Sequence, residues 1–223
     1  MSAPQLARRN GGLGRPSDAA SSFFLYVEGP RDEGILRLWL RRMSPPLARH
    51  LESRVVILGG RRPARAQTHF RSQGGGASGA RGLVVLDRDH HSESGSSWPV
   101  EAGLEIFTWR RRHIESYALV PAAIRRSLRS RVEPRLLERL IEDYLPPLDD
   151  EEACAAANAK KILGSKGEFA RSAGGRFSPE AVARCMRVED FHPDIFALYD
   201  RIRSATGFEQ SLAVRETRGA EFG

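Results

Sequence analysis

The chain of 223 residues has room for one domain, or one domain carrying a helical extension, and not for two independent cores. Apolar residues make up 40% and charged residues 28%, which excludes a disordered chain, and no apolar run exceeds five residues, which excludes a membrane-spanning helix. The net charge of +7 suits a polyanionic partner, although 32 of the 35 basic residues are Arg, a skew that genomic base composition also produces.

Residues 1–20 mix Arg8, Arg9 and Arg15 with Gly, Pro and Ser; this reads as a flexible basic arm and lacks the apolar stretch of a secretory signal. Phe23–Val27 is a short apolar run ending in Glu28-Gly29-Pro30, as a buried parallel strand would. A helix follows, with Asp32 as its expected N-cap and Ile35, Leu36, Trp39, Leu40 and Met43 on one face; Ser44-Pro45-Pro46 stops it. Arg54–Leu58 is a second strand, Ala64–Phe70 a weak helix and Gly74–Gly79 a mobile loop. Gly82–Leu86 is a third strand, ending in Asp87-Arg88-Asp89, and Leu104–Trp109 a fourth. Strands alternating with helices predict an α/β fold with a parallel sheet. From Pro121 onward the pattern is all helical, with helices expected over Pro121–Val132, Pro134–Leu145, Glu151–Leu163, Pro179–Met186 and Pro193–Ala205, and a frayed tail from Val214. The expected divisions are therefore an arm (1–20), an α/β core (21–120), a helical extension (121–212) and a flexible tail (213–223).

Active sites in parallel α/β sheets collect at the carboxyl ends of the strands. Here those ends carry Glu28 and the pair Asp87/Asp89, and Glu115 follows the fourth strand closely. Such a group of carboxylates suits a hard cation, which takes oxygen ligands and relieves their mutual repulsion. Solvated turn acids are the alternative reading of any one of them. Asp32 fits either an N-cap or a metal ligand. Arg110, Arg111 and Arg112 precede Glu115 and are placed to track a phosphate backbone, unless they form a plain solvated surface; Arg88 either turns away from its flanking acids or reaches substrate. The two cysteines, Cys154 and Cys185, are too few for a disulfide scaffold and lack metal-ligand spacing, so a cytoplasmic location is expected. No Walker-type phosphate loop occurs.

Leu25-Tyr26-Val27-Glu28-Gly29-Pro30-Arg31-Asp32-Glu33 resembles the first motif of the TOPRIM domain, and Val84-Val85-Leu86-Asp87-Arg88-Asp89 resembles its strand-borne Asp-x-Asp motif. Arg110–Tyr117, with its Ile-Glu-Ser-Tyr, is similar to the Arg-x-x-Ile-Glu-Asn-Tyr segment of the OLD (overcoming lysogenization defect) nucleases. Ile162–Phe169 resembles the Gly-Lys segment of that group, with Ser165 between the Gly and Lys166. The likeness spans residues 22–170. It implies a TOPRIM-like parallel sheet of about four strands flanked by helices, with a C-terminal all-helical extension. It further implies a two-metal nuclease in which Glu28, Asp32, Asp87, Asp89 and Glu115 hold two Mg²⁺ or Mn²⁺ ions and Lys166 neutralises the phosphate.

OLD proteins join an ATPase to the nuclease in one chain, whereas this chain starts close to the first TOPRIM strand. The resemblance therefore implies a standalone subunit acting on nucleic acid, alone or with a separate ATPase subunit, as an effector of anti-phage defence. DNA and RNA stay open as substrates, and so does a homo-oligomer. The alternative is a catalytically silent module docking on the ATPase through the stripes Leu136/Leu140/Tyr144 and Ile195/Phe196/Tyr199, which also suit a core.

Overall fold

A computed structural model describes residues 22–88, 101–174 and 177–208. Four strands, β1 (Phe23–Val27), β2 (Val55–Ile57), β3 (Arg81–Leu86) and β4 (Leu104–Thr108), form one parallel sheet in the order β2-β1-β3-β4. β1 and β3 lie centrally and read as nearly continuous apolar runs because both of their faces are covered. Alternation divides the core. Leu25, Val27, Leu83 and Val85 enter one large cluster, while Tyr26, Val84 and Leu86 pack on the other side with Leu58, Ala66 and Phe70.

Helix α1 (Pro30–Met43) lays Ile35, Leu36, Trp39 and Leu40 on the larger face, and α3 (Pro63–Ser72) covers the smaller with Ala66 and Phe70. Two details differ from the sequence reading here. Gly29, not Asp32, is the N-cap of α1, and Asp32 lies in the first turn with Oδ2 accepting the Gly29 N–H at 2.6 Å. Pro45-Pro46 does end α1, yet it also opens a further helix, α2 (Pro45–His50), because Pro fits a first turn whose N–H groups have no partner. The glycine loop expected to be mobile holds a 3₁₀ turn (Gly76–Ser78) pressed on the chain before β4. A Cβ on Gly76 would sit 2.1 Å from the Ala102 carbonyl oxygen, so only Gly permits that approach.

The second half is helical as expected: α4 (Pro121–Leu128), α5 (Pro134–Tyr144), α6 (Glu151–Ala156), α7 (Ala159–Leu163), α8 (Glu168–Ser172), α9 (Pro179–Cys185) and α10 (Pro193–Thr206). The helix expected over Glu151–Leu163 is broken at Asn158, whose side chain caps α7 by accepting the Lys161 N–H at 3.1 Å. These helices share a core with the sheet. α10 lies against β1 and β3, α9 against α1, and a single apolar cluster runs from Phe23 to Ile202. The stripe residues Leu140 and Ile195 are buried, Leu136, Tyr144 and Tyr199 are packed at the edge of the core, and Phe196 is exposed. Cys154 and Cys185 are both free thiols. Among the described residues no helix is long and apolar enough to cross a membrane.

Candidate active site

The parallel register brings the ends of β1, β3 and β4 to the same edge of the sheet, and each carries an acid out of it. Glu28 leaves β1 and accepts the Asp87 N–H on Oε1 at 2.8 Å, tying two strand ends together. Asp87 leaves β3 and is buried. Its Oδ1 accepts the Ile114 N–H at 2.9 Å, and its Oδ2 accepts from Lys160 Nζ on α7 at 2.9 Å. His113 Nδ1 lies 3.3 Å from the same Oδ2. Arg61 donates to the Asp87 carbonyl oxygen and lies 4.0 Å from Glu28.

Glu115 sits in a 3₁₀ turn (Ile114–Ala118) after β4 and is fully buried. Its Oε1 is 3.5 Å from Arg31 Nη1, and its Oε2 is buried with no hydrogen-bond partner. A buried polar atom of this kind is costly and marks either strain or a ligand site. Tyr117 fixes the turn: its hydroxyl donates to buried Asp194 at 2.5 Å and accepts the Arg111 N–H at 3.1 Å.

Burial would raise the Asp87 carboxyl, but His113, Lys160 and the Ile114 N–H outweigh it and hold its pKa below the usual carboxylate range. For Lys160 burial works downward, and the bond to Asp87 with the charges of Asp87, Glu115 and Asp32 keeps the ammonium above the usual lysine range. Asp32 behaves in the opposite sense to Asp87. Burial, then the negative charge of Asp87, pushes its pKa up to about 7, against the pull of the Gly29 N–H.

A raised acid favours the fold only while protonated. Its contribution is complete below pH 4, falls as pH rises from about 4 to about 7, and above pH 7 leaves a constant penalty. Asp32→Asn is therefore expected to be more stable than the wild type at pH 8 by on the order of 2 kcal/mol, with the difference closing near pH 4. Thermal unfolding at the two pH values checks this; an equal gap at both would mean that burial and the Asp87 charge do not raise Asp32.

The sequence-derived residues divide sharply. Glu28 is tied to Asp87, and Asp32 feels the charges of Asp87 and Glu115, while Asp89 lies outside the described residues. Lys166 lines a different feature. It is exposed and lines a depression with Lys161 and Tyr144, and the lysine that reaches the carboxylates is Lys160.

The arginine run is split in the same way. Arg111 is buried, donating to Glu151 at 3.0 and 2.6 Å and to the Ser116 carbonyl at 3.2 Å, so it braces the fold instead of facing a phosphate. Arg110 is exposed and pairs with Asp194 at 2.8 Å; Arg112 is half-buried; Arg88 is exposed and donates to the Arg110 carbonyl at 2.8 Å.

No protein-family model matches the chain, and no curated protein matches it. Three solved structures of the C-terminal region of the Xanthomonas campestris pv. campestris OLD protein are similar. The crystal phased with platinum aligns at 17% identity and a TM-score of 0.47, over 86% of this chain and 97% of that one. Those phased with mercury and iodine align at 18% and a TM-score of 0.44, over 85% and 86% of this chain and 98% of theirs.

Whether these residues suit a divalent ion is decided by their chemistry. The donors are all carboxylate oxygens, Glu115 Oε2 lacks a partner, and burial followed by the charge of Asp87 disfavours the Asp32 carboxylate, which a hard cation would counter. The side chains as they stand have not gathered: among the described residues no three of His, Cys, Asp or Glu are grouped to hold an ion, and Lys160 takes the place on Asp87 Oδ2 that a cation would. By donor chemistry alone, Glu28, Asp32, Asp87 and Glu115 are the residues that would hold an ion.

Proposed function

We propose that the chain is a divalent-metal-dependent nuclease, hydrolysing nucleic-acid phosphodiesters at the edge of the sheet where β1, β3 and β4 end. One observation carries this reading: Lys160 bonds Asp87 within the electrostatic reach of Asp32 and Glu115, Glu28 accepts the Asp87 N–H, and a buried Glu115 oxygen is left without a partner. Bound Mg²⁺ or Mn²⁺, two ions by the TOPRIM likeness, would supply Lewis-acid activation of water and of the scissile phosphate.

This chain's own groups do the rest. Lys160, released from Asp87, places a positive charge where the phosphate gains negative charge. Arg31 and Arg61, beside Glu115 and Glu28, add two more cations at this edge of the sheet. The Tyr117–Asp194 bond holds the turn that carries Glu115. Within this reading, a separate ATPase subunit and a role in anti-phage defence are the wider setting that the OLD resemblance suggests.

Purified protein incubated with single- and double-stranded DNA and RNA is expected to cleave only with Mg²⁺ or Mn²⁺, and Asp87→Asn to lose at least about a hundredfold. Metal-independent cleavage, or full activity in Asp87→Asn, would sink the proposal.

A specific observation favours a second reading, a silent module that docks on an ATPase. Both Asp87 oxygens already have partners, and Glu115 and Glu28 lie near Arg31 and Arg61, so much of the cluster's charge is countered without metal. Calorimetry separates the two: the nuclease takes up Mn²⁺ with release of the Asp87–Lys160 pair, and the silent module shows no uptake.

A further inference from the structure

The geometry points to the depression beside α7 as a binding track for a single-stranded nucleic-acid segment, one that feeds the strand past Lys160 to the carboxylates. The inference rests on the nuclease reading and adds the form of the substrate. All three lysines of the chain fall within positions 160–166, against 32 arginines spread throughout. Lys160 bonds Asp87, while Lys161, next to it on the same five-residue helix, and Lys166 line an open depression of about 470 Å³ together with Tyr144, Ile162, Gly167 and Glu168.

Two glycines build this arrangement. A Cβ on Gly164 would lie 2.2 Å from the Lys160 carbonyl oxygen, and one on Gly167 would lie 2.0 Å from that of Lys161. Only without side chains can the loop fold back on α7, where Gly167 N donates to the Gly164 carbonyl at 2.7 Å. That fold-back sets Lys166 beside Lys161, two ammonium groups placed as point charges for phosphates. Glu168, the one acid on the rim, faces Arg171 at 3.9 Å, so its charge is partly countered.

The aromatic partner is Tyr144, half-buried, its ring set edge-on at 6.3 Å and 90° against buried Phe169. An anchored ring beside paired cations is the combination that holds single strands, bases stacking on the aromatic face while cations follow the backbone. A duplex keeps its bases stacked on one another and gains nothing from Tyr144. The volume lies in the range of about 300–1,000 Å³ typical of ligand sites and is open, which suits part of a continuing strand.

The test uses fluorescence anisotropy of the full chain with labelled single-stranded 12-mers of DNA and RNA and a blunt duplex. All runs contain EDTA, so binding is read without cleavage. Lys161→Ala/Lys166→Ala is expected to weaken single-strand binding and to lower the salt slope by about 1.4, two phosphate contacts at about 0.7 each. Tyr144→Leu, checked for unchanged thermal unfolding, is expected to weaken it about fivefold to a hundredfold and to leave duplex binding unaltered.

Unchanged single-strand affinity and slope in the double variant overturn the inference. So does equal dependence of duplex binding on Tyr144, or displacement of the strand by inorganic phosphate alone at constant ionic strength. The two proposals fail separately. Lysine-dependent strand binding without metal-dependent cleavage leaves the track and removes the nuclease, whereas Asp87-dependent cleavage with strand binding indifferent to Lys161 and Lys166 does the reverse.

Discussion

Lys160→Ala is expected to lower kcat for phosphodiester cleavage by about a hundred- to a thousandfold, the usual loss when one preorganised charge on a transition state is removed. Lys166→Ala is expected to leave kcat near wild type and to raise KM. The difference follows from position. Lys160 Nζ lies 2.9 Å from Asp87 Oδ2 and is held charged by Asp87, Glu115 and Asp32, whereas Lys166 is exposed on the depression beyond α7. Lys160 also compensates buried Asp87, so its loss has a structural side; unfolding of Lys160→Ala measured without metal separates that cost from the catalytic one. A loss of kcat in Lys166→Ala matching that in Lys160→Ala would return the charge-neutralising role to Lys166.

Lys160 and Lys166 show what a sequence does and does not carry. Sheet and acids were legible because both are local. A strand covered on two faces is an apolar run, and an acid at its end is the next residue, as with Val27-Glu28 and Leu86-Asp87. Direction in space is not local. A continuous helix over Glu151–Leu163 turns Lys160 differently from the broken one, where Ala157 is extended and Asn158 caps a new helix. The signal was present in Asn158, a capping residue inside an Ala-rich run. Arg110, Arg111 and Arg112 are one charge run in sequence, yet Arg111 turns inward to Glu151 while Arg110 stays at the surface. The apolar face of α10 announces burial, but nothing near it says that its cover is β1 and β3, roughly 110 residues or more upstream.

Glu151→Ala is expected to destabilise the fold more than Arg111→Met, although Glu151 is the more exposed member of the pair. The Arg111 side chain is 5% exposed and the Glu151 side chain 51%. Arg111 is held by two bonds to Glu151 and one to the Ser116 carbonyl, and lies 5.2 Å over the Tyr117 ring. Removing the carboxylate strands a buried guanidinium with one carbonyl and a ring for company, and an uncompensated buried charge costs several kcal/mol. Removing the arginine frees a carboxylate that water reaches at once, and Met fills much of the space left by the Arg stem. The expected losses are about 3 kcal/mol for Glu151→Ala and about 1 kcal/mol for Arg111→Met, or roughly 6–12 °C against 2–4 °C in unfolding midpoint for a chain of this length. The double variant should regain most of the difference, because the stranded charge is gone, and a thermal double-mutant cycle measures that coupling. Activity is expected to follow stability, since Ser116 and Tyr117 belong to the turn that carries Glu115. Should Arg111→Met prove the more damaging of the two, the guanidinium is acting through contacts other than its neutralisation by Glu151, those to the Ser116 carbonyl and the Tyr117 ring of the turn.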